Sequence, residues 1–120
     1  MDGWIGVDLD GTLAHLGGYK GMDFIGSPIT VMVNRVKRWL ELGIRVKILT
    51  ARVADDPDGH NKKVIEAYLK QHVGQVLEIT CQKDMNMFEL WDDRCVQVVK
   101  NTGLRVGEER RIHTREAAAR

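Results

Sequence analysis

Short apolar runs alternate with longer amphipathic stretches along this chain. Trp4 to Leu9 reads as a strand that is apolar on both faces, as in the centre of a covered parallel sheet. Ile29, Met32, Val33, Val36, Trp39 and Leu40 then recur at helical spacing, with Arg35, Lys37, Arg38 and Glu41 on the opposite side. Ser27 and Pro28 fit the N-cap and first position of that helix, and Gly43 fits its end. "RVKIL", Arg45 to Leu49, predicts a second strand that ends at Thr50-Ala51-Arg52. After the polar loop "VADDPDGHN", a second helix is expected from His60 to Gln71, burying Val64, Ile65, Tyr68 and Leu69. Val76 to Thr80, Phe88 to Trp91 and Cys95 to Val99 predict three more strands. From Leu104 onward the chain is highly charged, a surface helix or a frayed tail. The division is thus a core over residues 1–103, with a small glycine-rich flap over about 12–26, and a charged tail over 104–120.

Strands alternating with helices predict an α/β fold: a parallel sheet of about five strands with helices on both faces. In such sheets ligands bind beyond the carboxyl ends of the strands. Asp8, Asp10, Thr50, Asp92 and Asp93 all fall at predicted carboxyl ends, and Lys83 follows the third strand.

Composition narrows the picture modestly. At 120 residues, 43% hydrophobic and 29% charged, the chain suits one soluble globular domain. A formal net charge of +1 gives no broad pull toward nucleic acid or membrane. No apolar run is long enough to span a bilayer, and the first residues do not resemble a signal segment, so a cytoplasmic location is expected. Cys81 and Cys95 lack CxxC spacing and are expected as free thiols beside buried strands.

The chemistry concentrates in "DLDGTLA". Residues two apart on a strand point to one side, so Asp8 and Asp10 would approach one space. Like charges so close repel, and one holds a proton unless a cation intervenes. Gly11 lets the backbone turn sharply, and Thr12 can brace the turn. Asp93 and Asp92 add two carboxylates from another strand, an oxygen-rich setting that suits Mg²⁺. Lys83, Thr50 and backbone N–H groups of the turn would receive an anion, so the set fits a phosphoryl group beside a metal ion.

"DLDGTLA", "ILTAR", Lys83 and "LWDDR" resemble, in chain order, the four motifs of the haloacid dehalogenase superfamily of phosphotransferases. The resemblance spans about Trp4 to Val99. It implies a Rossmann-like core and a phosphate monoester hydrolase that works through an aspartyl-phosphate. Asp8 would be the nucleophile, kept ionised by Mg²⁺ and Lys83. Asp10 would be the general acid and then base, in a site that favours its protonated form. The backbone carbonyl of Asp10 and the carboxylates of Asp8 and Asp93 would hold Mg²⁺, with Asp92 acting through water. Thr50 and Lys83 would grip the phosphoryl oxygens, beside Leu9, Gly11, Ala51 and Arg52. Lys62 or Lys63 could take the place of Lys83. The close spacing of Lys83 and Asp92 is similar to the deoxynucleotidase and polynucleotide 3′-phosphatase branches, and it leaves only a short connection between the third and fourth strands.

Little chain is left for a cap domain, so an open site is expected, suited to a nucleic-acid end or a phosphorylated small molecule, or covered by a second subunit. His15, Tyr19, Lys20 and Arg52 stand where they would touch a leaving group, and Tyr19 or Phe24 where they would stack on a base. Arg52 could equally pair with Asp55 or Asp56, and "DDPDGH" reads better as a helix cap than as a calcium loop. Two rival functions remain: a phospho-accepting receiver-like signalling module, and a non-catalytic binding protein with the same acidic site. The strand order of the acids argues against the first.

Overall fold

A computed structural model describes residues 3–18 and 20–108. Tyr19 and the charged segment from residue 109 onward lie outside the described residues. The elements are β1 (Trp4–Val7), α1 (Thr30–Glu41), β2 (Arg45–Leu49), a 3-10 turn (Ala51–Val53), α2 (His60–His72), β3 (Glu78–Thr80) and β4 (Met87–Trp91). The strands form one parallel sheet in the order β3-β2-β1-β4, so β1 is central. This is an α/β domain. No helix among the described residues is long and apolar enough to cross a membrane.

The register shows which face each residue serves. Ile5 pairs with Val46 and Val7 with Ile48, and these side chains share one buried cluster with Met32, Val33 and Val36 of α1 and Ile65, Tyr68 and Leu69 of α2. Both helices therefore cover the same face, where helices on both faces were expected. The reason is topological: β1, β2 and β3 step across the sheet in one direction, and successive right-handed crossovers then fall on one side. Trp91 belongs to this face too and meets Trp39 of α1 edge-on, with ring centroids 5.2 Å apart.

The other face carries Trp4, Gly6, Arg45 and Lys47. Trp4 is fully buried there, and its ring lies 4.4 Å from the Lys47 ammonium. A Cβ on Gly6 would come within 3.2 Å of that ring, so glycine makes room for the indole. The short connection from β3 to β4 completes the cover, because Asp84 accepts from Trp4 Nε1 at 2.9 Å and pairs with Lys47. Six residues carry the chain from one edge strand to the other, in place of the crossover helix that ordinarily joins parallel strands.

Three further expectations change. Ser27 and Pro28 do not open α1, which starts at Thr30 without a side-chain cap. Pro28 bridges to Ala14, His15 N–H donates to Ser27 O, and Ile29 N–H donates to Leu13 O. These three residues close the base of the flap, and the extended backbone this requires delays the helix. Cys95 to Val99 adds no fifth strand. Val99 N–H donates to Leu104 O and Val106 N–H to Gln97 O, around a turn with Asn101 and Gly103 at positive φ. Local turn chemistry folds this segment back on itself and leaves β4 at the sheet edge. Cys81 and Cys95 are free, as expected, but exposed rather than buried.

Candidate active site

The carboxyl ends of β1 and β4 build the acidic centre. Val7 pairs with Trp91, and Asp8 N–H donates to Trp91 O at 2.9 Å. This register sets Asp8 beside Asp92 and Asp93. Asp8, Asp92 and Asp93 each place a carboxylate oxygen within 4.8 Å of the others. Asp92, expected to act through water, thus brings its own carboxylate into the group.

Two residues of the turn hold this arrangement. The Thr12 hydroxyl accepts from Asp93 N–H at 3.1 Å and lies within 3.4 Å of Asp8 Oδ2 and 3.3 Å of Asp93 Oδ1. Gly11 has φ +91°, and a Cβ there would sit 2.6 Å from Asp93 Oδ2, so both the turn and the close approach demand glycine. The Gly11 N–H donates to Ala14 O at 2.8 Å and is therefore engaged within the turn, against the expectation that it receives an anion. The Leu9 N–H likewise serves the Asp8 carboxylate.

Asp10 takes a different position. β1 ends at Val7, two residues short of the expected end, and the turn that follows sends Asp10 away from the three clustered carboxylates. Its two oxygens accept from Arg52 Nε and Nη2, both at 2.7 Å. The Arg52 side chain is only 9% exposed and also donates to Met22 O at 3.0 Å and Phe24 O at 2.9 Å. Arg52 therefore joins the acid turn to the flap, rather than pairing with Asp55 or Asp56. Asp56 instead accepts from the N–H groups of Asn61 and Lys62 and caps α2.

Asp8 favours its protonated form. Its burial, then the charge of Asp92, then a hydrogen bond and charge from Asp93 push its pKa up from 3.8 to about 7, against the Leu9 N–H. A cation among these oxygens would remove that repulsion.

Asp8, Asp10, Thr50, Ala51, Asp92 and Arg94 line one cleft of about 400 Å³. Thr50 is almost fully buried, and its hydroxyl accepts from Arg52 N–H at 3.2 Å, which leaves its own proton to donate. Lys83 is exposed in the β3–β4 connection and makes no hydrogen bond or ion pair with the acids among the described residues. It stays within their field: the Cys95 thiol is pushed up by desolvation and by Asp92, Asp8 and Asp93, and Lys83 opposes the shift. Lys62 and Lys63 do not line the cleft. Arg94 does, and the sequence reading overlooked it although it closes the "LWDDR" motif.

The donor set is all oxygen, which fits a hard divalent ion such as Mg²⁺. The Asp8 shift makes this testable. Its folded-state pKa lies above the unfolded value, so the stability contributed by the bound proton is present below 3.8 and lost as pH rises through about 7. Full conversion of that shift would be ~4 kcal/mol, which solvent at this only partly buried site reduces to ~1 kcal/mol, about 4 °C in Tm. In chelator, the Tm of wild type should fall relative to that of Asp8→Asn between about pH 4 and 7, and millimolar Mg²⁺ should close the gap. A gap that does not change with pH in calorimetry would show that the acids feel no mutual strain.

No family model matches this sequence, and no curated protein matches it. Among solved structures, a conserved protein from Bacteroides thetaiotaomicron superposes with a TM-score of 0.59 at 16% identity, over 93% of this chain and 89% of that one. At that identity the likeness speaks for the fold.

Proposed function

We propose that this protein is a Mg²⁺-dependent phosphate monoester hydrolase of the cap-less haloacid dehalogenase type, working through an aspartyl-phosphate on Asp8. The supporting observation is the convergence of the Asp8, Asp92 and Asp93 carboxylates at adjacent strand ends, with Asp10 and Thr50 lining one cleft together with Asp8 and Asp92. The carboxylates of Asp8, Asp92 and Asp93 would hold Mg²⁺, which when bound offsets negative charge on the carboxylates and the phosphoryl oxygens.

An Asp8 oxygen attacks phosphorus, the bond to the leaving oxygen breaks, and Asp10 delivers a proton to that oxygen. Asp10 then takes a proton from water, the water oxygen attacks phosphorus, and the bond to Asp8 breaks to release phosphate. Arg52 fixes the orientation of Asp10 through both oxygens, each of which retains a second lone pair for the proton. Thr50 donates to a phosphoryl oxygen. Arg94 lines the cleft and Lys83 does not, so Arg94 is the cation that meets the phosphoryl group.

The test pairs two measurements. Wild type should release p-nitrophenol from p-nitrophenyl phosphate with Mg²⁺ and not with chelator. Acetyl phosphate should label Asp8 only transiently. A label that persists, without turnover of any phosphate ester, would make the chain a receiver-like module instead. Neither label nor turnover would leave a binding protein.

A further inference from the structure

A second cavity, of about 470 Å³, lies under the flap and is lined by Asp10, His15, Leu16, Lys20, Phe24 and Arg52 among others. Asp10, Leu16 and Arg52 also line the acidic cleft, so they form the wall between the two spaces. A residue that hands a proton to a leaving oxygen must face both the phosphoryl group and the group that departs. Asp10 holds that position.

The lining of this cavity differs from that of the cleft. It contains none of the three clustered carboxylates, and it presents Phe24, 45% exposed, and Leu16, 53% exposed. The Lys20 ammonium lies 4.9 Å from the Phe24 ring centroid. The limb that carries Phe24 is pinned at several points. Arg52 binds the carbonyls of Met22 and Phe24, the Tyr68 hydroxyl donates to Gly26 O at 2.8 Å, and His60 Nε2 meets Asp23 Oδ1 at 2.6 Å. The ring platform therefore exists before any ligand arrives. Gly26 belongs to the same design, because a Cβ there would collide with His15 O.

Resting on the proposed hydrolase reading, we infer that the flap cavity is the leaving-group subsite and that the substrate is a small phosphate monoester whose alcohol bears a flat, uncharged ring stacking on Phe24. The volume falls within the range of small-molecule sites and accepts a group up to about nucleoside size. A polynucleotide end would have to leave most of its length outside.

The experiment compares wild type with Phe24→Ala on p-nitrophenyl phosphate, a nucleoside 5′-monophosphate, methyl phosphate and a 3′-phosphorylated oligonucleotide. Phe24→Ala should lower kcat/KM about tenfold on the two ring-bearing small esters and leave methyl phosphate within about twofold. An equal loss on methyl phosphate, or a wild-type preference for the oligonucleotide, would overturn the inference. If wild type turns over none of the four with Mg²⁺, the hydrolase reading fails by itself. The subsite is then judged by titrating a free nucleoside into ¹⁵N-labelled protein. Amide shifts grouped on the flap, lost in Phe24→Ala, support it, and their absence refutes it.

Discussion

Asp8→Asn is expected to abolish Mg²⁺-dependent phosphate release, by at least about 10³-fold, while making the metal-free protein more stable at neutral pH. Asparagine keeps the shape of the side chain and an oxygen for the Thr12 hydroxyl, whose distance to Asp8 Oδ2 is 3.4 Å. It lacks the nucleophilic carboxylate. It also removes one of three crowded acids, so the burial of a charge and the repulsion from Asp92 and Asp93 that together hold Asp8 near pKa 7 disappear with it. Activity and stability should therefore move in opposite directions, the mark of a strained functional group rather than a structural one. Phosphate release and thermal unfolding in chelator at about pH 8 measure the two. A variant that keeps its turnover would place the nucleophile elsewhere.

Arg52→Ala should be the most destabilising single change at the site. Arg52 is 9% exposed and its partner Asp10 23%, so its loss leaves a largely buried carboxylate without its counter-charge. Breaking such a pair costs about 3–5 kcal/mol, near 10 °C or more in Tm for a domain of this size. The flap carbonyls of Met22 and Phe24 lose their donor as well. Arg52→Lys keeps the charge but not the fork, so it should recover only part of the loss. The sharper check is the double variant Asp10→Asn with Arg52→Ala. Removing the stranded charge should restore stability relative to Arg52→Ala alone, a coupling that a simple packing defect would not show. Denaturant unfolding of Asp10→Asn, Arg52→Ala, the double variant and wild type gives the cycle directly. Turnover should fall in Arg52→Ala by about 10² or more, because Asp10 no longer has a fixed orientation.

Both predictions concern neighbours that differ in how far the chain announces them. Asp8 with Asp92 and Asp93 was readable because strand ends in a parallel sheet share one edge, and the register of Val7 with Trp91 then leaves the three acids no other place. Gly11 and Thr12 were readable for a similar local reason, although their partner proved to be Asp93, far along the chain. The salt bridge of Arg52 to Asp10 was not readable, since Asp55 and Asp56 lay nearer in sequence. Only the route of the flap over the 3-10 turn decides among these acids. Lys83 shows a related limit: its place in the chain order did not say whether it lines the cleft, because the connection that carries it is tied to Trp4 and Lys47 through Asp84.

By itself the sequence determined the alternation of strand and helix, the apolar face of each helix, and the turn after β1, because each depends on spacing and backbone sterics within a few residues. Tertiary structure alone decided that both helices share one face, that Pro28 joins the flap base rather than α1, that residues 97–106 fold back instead of adding a strand, and that Asp10 faces a guanidinium. Those outcomes are competitions between distant partners for the same backbone or side-chain group, and the energy of each contender exists only once the chain has closed around it.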